Sequence, residues 1–185
     1  MELTTERLTL RDFEPDDWRT ISIYQADPLV RRHMLTGQCT PTQAQRLVAG
    51  SIACAKRPTR DFFGLAILLR ADARLIGSCT LSVQRKHKRA HMGWDFNRQY
   101  WNCGFATETA QALLAFAFDT LGLTCVEADC FAANAASVRV LEKCGLRREP
   151  NRLREWLHTR RYLERRPMIC FALHQSEWRT KTNGN

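Results

Sequence analysis

Apolar positions along the chain follow two periods, and the switches between them predict the elements. Leu3 to Phe13 alternates around Leu8 and Leu10, with Arg7 and Arg11 between them, and predicts a first strand. Pro15, Asp16 and Asp17 then open a helix with Trp18, Ile21 and Tyr24 on one face, ended by Asp27 and Pro28. Leu29 to Cys39 has no period and reads as an irregular wall segment, with a turn at Gly37. Thr40 and Pro41 form an N-cap and first-turn pair for a second helix, whose Leu47, Ile52 and Ala55 are expected to face inward. Phe62 to Leu69 and Leu75 to Val83 are apolar and rich in branched residues. The short polar link Arg70 to Arg74 joins them as an antiparallel hairpin, and Ala90 to Phe96 follows as a further strand.

The period then changes. Ala106, Ala110, Leu113, Ala117 and Leu121 recur at helical spacing within a stretch, Gln99 to Thr120, that reads as a loop running into a buried helix, thickened by Phe116 and Phe118. Asn102, Cys103 and Gly104 break the pattern just before it. A helix start leaves amide donors unpaired, so this loop is either an ordinary helix beginning or a cradle for an anion. Thr124 to Phe131 is the next strand, which makes strand, loop, helix and strand one crossover unit with parallel strands. Asn134 can cap a helix from Ala135 to Cys144 that ends at Gly145. Two last strands are expected, Leu146 to Leu157 and Met168 to His174. The sum is an α/β fold: a mixed, mostly antiparallel sheet of about seven strands, about four helices and a central βαβ crossover. Residues 1–180 read as a single domain and 181–185 as a frayed tail.

Composition narrows the class. The 185 residues are 44% hydrophobic and carry a formal charge of +9. No apolar run approaches the roughly 20 residues of a membrane span, and the start of the chain is polar, so a cytoplasmic protein without a membrane partner is expected. Eight cysteines are spread through apolar segments with neither a CxxC pair nor metal-site spacing, which predicts core thiols and no metal. Cys103 is the exception, since a helix N-terminus favours a thiolate. The charge favours an acidic partner and gathers in Arg85 to Arg89 and Arg160 to Arg166, which read equally as solvated loops.

Two local patterns combine into a resemblance. YWNCGFATE at 100 to 108, followed by NAASVRVLEKCGL at 134 to 146, resembles the acetyl-CoA signature of the GNAT superfamily of N-acetyltransferases. It looks most like the RimJ/RimL branch, where Trp-Gly-x-Gly-Tyr-Ala-Thr-Glu precedes an Asn-x-x-Ser helix. The opening TTERLTLRDFEPDDW and the closing FALHQSEW extend the likeness from Leu3 to Trp178. The resemblance implies acetyl-CoA as co-substrate, with the backbone amides of Asn102, Cys103, Gly104, Phe105, Ala106 and Thr107 on its pyrophosphate. Trp101 stands where the superfamily usually has Arg or Gln, and Asn102 where this branch has glycine. The exposed backbone of Gly93, Trp94, Asp95 and Phe96 matches the strand that pairs with the pantetheine arm. Asn134 matches a residue that hydrogen-bonds that arm, and it is equally suited to be a helix cap.

For catalysis, the tyrosine that many members place seven residues after the asparagine is Leu141 here. Ser137, at the Asn-x-x-Ser position, can instead hydrogen-bond the departing sulfur, or serve its helix. Acetyl transfer needs a neutral amine, so a base is required. The candidates are Glu155, within the Leu-Arg-Glu that matches this branch, and His91, whose ordinary pKa suits the task better. Glu108 is expected to be structural and turned from the phosphates. Leu163 and Pro167 stand where the branch often has Gly and Asp of a Gly-x-Trp-x-Asp motif, a departure close to the acceptor site.

The implied function is direct transfer of acetyl from acetyl-CoA to a primary amine. A protein or peptide N-terminus is slightly favoured over a small-molecule amine. A non-catalytic acyl-CoA-binding regulator on the same fold and a nucleic-acid-binding module are the competing classes, the second disfavoured because no binding motif accompanies the basic clusters. A homodimer is left open.

Overall fold

The alternation over residues 3–13 resolves into two strands rather than one. The Thr5 hydroxyl and amide both bond to the Leu8 carbonyl, at 3.2 and 2.9 Å, and this turn separates β1 (Glu2–Thr4) from β2 (Leu8–Asp12). The computed structural model describes residues 1–34, 39–149 and 167–182. The remaining strands are β3 (Phe62–Leu69), β4 (Leu75–Gln84), β5 (Arg89–Phe96), β6 (Cys125–Phe131), β7 (Arg147–Arg148) and β8 (Met168–His174). All belong to one sheet in the order β1-β2-β3-β4-β5-β6-β8-β7. Its helices are α1 (Asp17–Gln25), α2 (Pro28–Arg31), α3 (Pro41–Ala55), α4 (Phe105–Ala115), α5 (Ala135–Cys144) and α6 (Gln175–Thr182). The described residues thus hold one strand and two helices more than the pattern predicts. Short α2 lies inside the segment read as irregular, capped by the Asp27 carboxylate on the Leu29 amide at 2.8 Å. The strand expected to reach Leu157 is described only as β7, since residues 150–166 lie outside the described segments.

Every neighbouring pair is antiparallel except β5 and β6, the two ends of the crossover through α4. Strand alternation gives the sheet two apolar faces. On one, Leu8, Leu10, Leu65, Ile67, Leu81, Met92, Val126 and Phe171 pack with Ala110, Leu113 and Leu114 of α4 and Val138 and Leu141 of α5. On the other, Ala66, Leu68 and Leu75 pack with Ile21 and Tyr24 of α1 and Ala44 and Val48 of α3.

Two helices differ from expectation in instructive ways. In α3 the buried residues are Ala44, Val48 and Ser51, while Leu47 is 41% exposed. The small residues form the row that lies closest to the sheet: a Cβ placed on Gly64 of β3 would collide with Ser51. Ser51 turns its hydroxyl back to the Leu47 carbonyl at 2.9 Å, so a polar residue takes the inner place and the leucine is left outside. The other departure is the end of α4, which widens at Ala115 into a π turn over Phe116–Thr120. Phe116, Ala117 and Phe118 are all buried there, and α6 covers the turn, with the Trp178 indole donating to Asp119 at 3.1 Å. Helix α6 runs through Thr182, and residues 183–185 of the expected frayed tail lie outside the described segments.

Candidate active site

Strands β5 and β6 form a fork. They are paired through three rungs, Arg89↔Cys125, Ala90↔Val126 and His91↔Glu127, and no rung among the described residues joins the stretches beyond. On its other edge β5 stays paired with β4 as far as Phe96, and β6 with β8 as far as Phe131. The strands therefore part while each remains anchored, leaving the inner edge of Gly93–Phe96 open to an extended ligand up to the Phe96 carbonyl, which the Trp101 indole takes.

The loop at the tip of the fork is shaped by two left-handed residues, Asn102 at φ 60° and Gly104 at φ 83°. Asparagine is among the few side chains that tolerate this region, which is a physical reason for it to replace the expected glycine. Gly104 is the N-cap of α4 and supplies no side-chain acceptor. The first intrahelical bond runs from the Glu108 amide to the Gly104 carbonyl at 3.1 Å, so the amides of Phe105 to Thr107 precede the ladder. A Cβ on Gly104 would stand 3.3 Å from Arg7 Nη2.

Arg7 holds this loop in place. Its guanidinium donates to the Cys103 carbonyl at 3.0 Å, lies over the Phe105 ring at 4.6 Å, and pairs with Glu108 at 2.7 Å. Glu108 also accepts from the Thr5 hydroxyl at 2.6 Å and the Arg7 amide at 2.8 Å. Burial alone would raise the Glu108 carboxyl, but the bonds from Thr5 and Arg7 outweigh it and hold the group below its ordinary value. Its charge is thus turned to the β1–β2 turn and occupied there. Trp101 fixes the loop to the strand: its indole donates to the Phe96 carbonyl at 3.0 Å. Cys103 is exposed, its thiol 3.4 Å from the Trp101 carbonyl.

Helix α5 begins where β6 ends, and the Asn134 side chain accepts the Ser137 amide at 3.2 Å, an ordinary cap. Ser137 is half-buried in that first turn. The far end of α5 reaches α4, with the Cys144 thiol 3.8 Å from the Thr107 carbonyl.

On the face of the sheet away from α4 and α5, β5 presents His91, Gly93 and Asp95. Asp95 is half-buried beneath α1; burial pushes its carboxyl up, while Ser78, Gln25 and Tyr24 donate to it and oppose that rise. Its side chain therefore ties α1 to β5. Trp94 and Phe96 turn to the core face. His91 lies at the last rung, its ring 43% exposed, with Nε2 bonded to Asp129 of β6, whose side chain is 5% exposed. Arg89, one turn of the pleat away, pairs with Glu127 at 3.0 Å.

Residues 101–107, and Asn134 with Ser137, thus follow the carboxyl ends of the two parallel strands, where ligands of such sheets bind, while His91 lies at the root of the fork. Glu155 lies outside the described residues, as do Gly37, Leu163 and the 160–166 cluster. Two residues of the arrangement escaped the sequence reading. Arg7 lies 97 positions before Gly104, and Asp129 looks in sequence like one more polar position of an alternating strand. Of the cysteines, Cys79, Cys125, Cys130 and Cys144 are buried, and burial pushes the Cys130 thiol up to about 11. Among the described residues no group of three or more His, Cys, Asp or Glu side chains could hold a metal, and no helix is long and apolar enough to cross a membrane.

Residues 7–147 match the family model described as "Acetyltransferase (GNAT) domain". The chain is 34% identical over 149 residues, 80% of its length and 84% of the relative's, to the uncharacterized N-acetyltransferase YnaD of Bacillus subtilis (strain 168). An acetyltransferase (GNAT family) of Bacillus anthracis superposes with a TM-score of 0.80 at 26% identity, over 96% of this chain and 100% of that one. At lower identity the same fold is found in RimL, a ribosomal alpha-N-protein acetyltransferase crystallised with coenzyme A (TM-score 0.78, 14% identity, 96% and 99% covered). It recurs in spermidine N-acetyltransferase from Vibrio cholerae in complex with CoA and spermine (TM-score 0.76, 17% identity, 94% and 99% covered). With an opened parallel pair leading to a glycine-started helix, and a family match across three quarters of its length, the chain belongs to the GNAT family of acetyl-CoA-dependent N-acetyltransferases.

Proposed function

We propose that this enzyme acetylates a primary amine by direct transfer, and that a protein or peptide N-terminus is its preferred acceptor. The observation that carries the site assignment is the fork: an unpaired strand edge that ends at an uncapped helix start. Acetyl-CoA supplies an activated acyl thioester; the other functions fall to the chain. The amides of residues 102–107 hold the pyrophosphate, aided by the positive end of α4. The backbone of Gly93–Phe96 accepts the pantetheine arm, Asn134 serves as the cap of α5, and the Ser137 hydroxyl bonds the departing sulfur. His91, at the root of the fork, takes the proton of the incoming amine.

The acceptor class rests on charge and on relatives. A formal charge of +9 repels polycationic amines at long range. RimL acts on a ribosomal protein, whereas the Vibrio spermidine enzyme represents the other class. The basic turn after β4 is partly neutralised, with Arg85 paired to Asp61 and Arg89 to Glu127, which weakens any case for a nucleic-acid surface there.

Calorimetric titration with acetyl-CoA, followed by thiol release against a panel of peptides and amines, tests the reading. Peptides with a free α-amine are expected to turn over fastest, and their N-acetylated forms not at all. Faster turnover of spermidine or a small monoamine would overturn the acceptor class.

A further inference from the structure

We infer that Asp129 is a positioning residue for His91, fixing which imidazole nitrogen is free to receive the acceptor's proton; the inference rests on the reading of His91 as the base. The two side chains meet across the fork. His91 belongs to the last rung, His91↔Glu127, and Asp129 lies two residues further along β6, on the same face, where the strands have parted. Its carboxylate is 5% exposed, and an ion so far removed from water needs a hydrogen-bonding partner. Asp129 finds it in Nε2 of His91.

The neighbouring charges explain why Asp129, and not Glu127, makes this contact. Glu127 stands directly opposite His91, but the Arg89 guanidinium takes its Oε1 at 3.0 Å. From β4 the residue paired with His91 is Ser82, which brings no charge. Along β5 the next acid on this face, Asp95, lies under α1 and is occupied by Ser78, Gln25 and Tyr24. On β8 the residues across from Asp129 and Glu127 are Cys170 and Ala172, and His174 lies across from Cys125 at the far end.

A neutral imidazole carries one proton. With a carboxylate at Nε2 that proton is held there, so the lone pair is at Nδ1 of a ring that is 43% exposed. When Nδ1 takes a proton from the attacking amine, the new N–H bond forms at Nδ1, the Nε2–H bond stays intact, and the imidazolium charge lies against the Asp129 carboxylate. Asp129 itself neither gains nor loses a proton and touches no reacting atom.

The test compares Asp129→Asn, Asp129→Glu and His91→Gln, using an alanine-initiated peptide as acceptor and ¹⁵N-labelled histidine for NMR. In the wild type, His91 is expected as the Nε2–H tautomer. Asp129→Asn should lower kcat by roughly 10²-fold, the scale of a lost proton transfer, while KM for acetyl-CoA stays within about twofold. It should also redistribute the His91 tautomers, and Asp129→Glu should restore both in part. Wild-type kcat in Asp129→Asn, with His91→Gln impaired, would overturn the inference and leave His91 as base. Lowered activity with an unchanged tautomer would reduce Asp129 to a structural role. Full activity of His91→Gln would remove the reading beneath both. If Asp129→Asn fails to fold, the wild-type tautomer still decides: Nδ1–H in the folded protein contradicts the proposal.

Discussion

Helices α4 and α5 each follow the carboxyl end of one parallel strand, yet the chain finishes their first turns in opposite ways. Asn134 turns its own side chain onto the Ser137 amide, so α5 is closed by the residue that begins it. Gly104 has no side chain to offer, and the residues around it are instead held from outside, by Arg7 on the Cys103 carbonyl and by Glu108 on the β1–β2 turn. Among the described residues, nearby side chains fix the loop's shape and none of them caps the start of α4. A helix start that is rigidly placed and left uncapped fits an acceptor brought by a ligand. A start that caps itself fits a helix that serves first as scaffold.

Substitutions can break this contrast, and the largest effect is expected at Gly104. Gly104→Glu forces a side chain into a left-handed residue, within 3.3 Å of Arg7, and sets a negative charge at the cradle. Acetyl-CoA affinity measured by calorimetry should fall by more than about 10²-fold, over 2.7 kcal/mol; unchanged affinity would remove the phosphate assignment. Glu108→Gln comes next, because it loosens the frame and not the cradle itself. Roughly tenfold weaker binding is expected, about 1.4 kcal/mol. This variant also carries a pH signature. Thr5 and Arg7 hold the Glu108 carboxyl below its ordinary 4.5, so its contribution to stability is complete above that value and is lost as pH falls through the lowered one. The gap in melting temperature between wild type and Glu108→Gln should therefore be constant near neutrality and close progressively below pH 4.5. The smallest effect on binding belongs to Asn134→Ala. Losing the cap should cost about 1 kcal/mol, a drop in melting temperature of about 3 °C, with acetyl-CoA affinity changed by less than about threefold, an RT-scale effect. A loss of affinity comparable to that at Gly104 would erase the distinction between the two helices and assign Asn134 to the pantetheine arm.

Local chemistry was legible in the sequence wherever one residue decides the outcome. Thr40 caps α3 as a threonine before proline suggested, with Gln43 returning a reciprocal bond, and Gly145 is left-handed at φ 90° where a helix was expected to stop. The loop at 102–104 and the crossover from β5 to β6 were visible for the same reason. Features that depend on which of two equivalent rows faces inward were not. In α3 a leucine and a serine compete for the inner place, and the choice rests on how closely the helix approaches Gly64, a distance no period encodes. The frame of the site was hidden by separation: Arg7 and Glu108 are 101 positions apart, and His91 and Asp129 are 38. Only the sheet order β1-β2-β3-β4-β5-β6-β8-β7 brings such pairs together.

The three rungs at the root of the fork divide the sheet into two blocks, β1–β5 and β6–β8, that share a narrow seam. A ligand lying in that seam binds the folded chain and not the unfolded one. By mass action it adds RT ln(1 + [L]/Kd) to folding stability, about 2.7 kcal/mol at a hundredfold excess over Kd. In a cell that clears unfolded chains by proteolysis, such a difference alters abundance several-fold. With acetyl-CoA in that seam, as proposed above, the opened strands would link the amount of folded enzyme to the supply of its co-substrate.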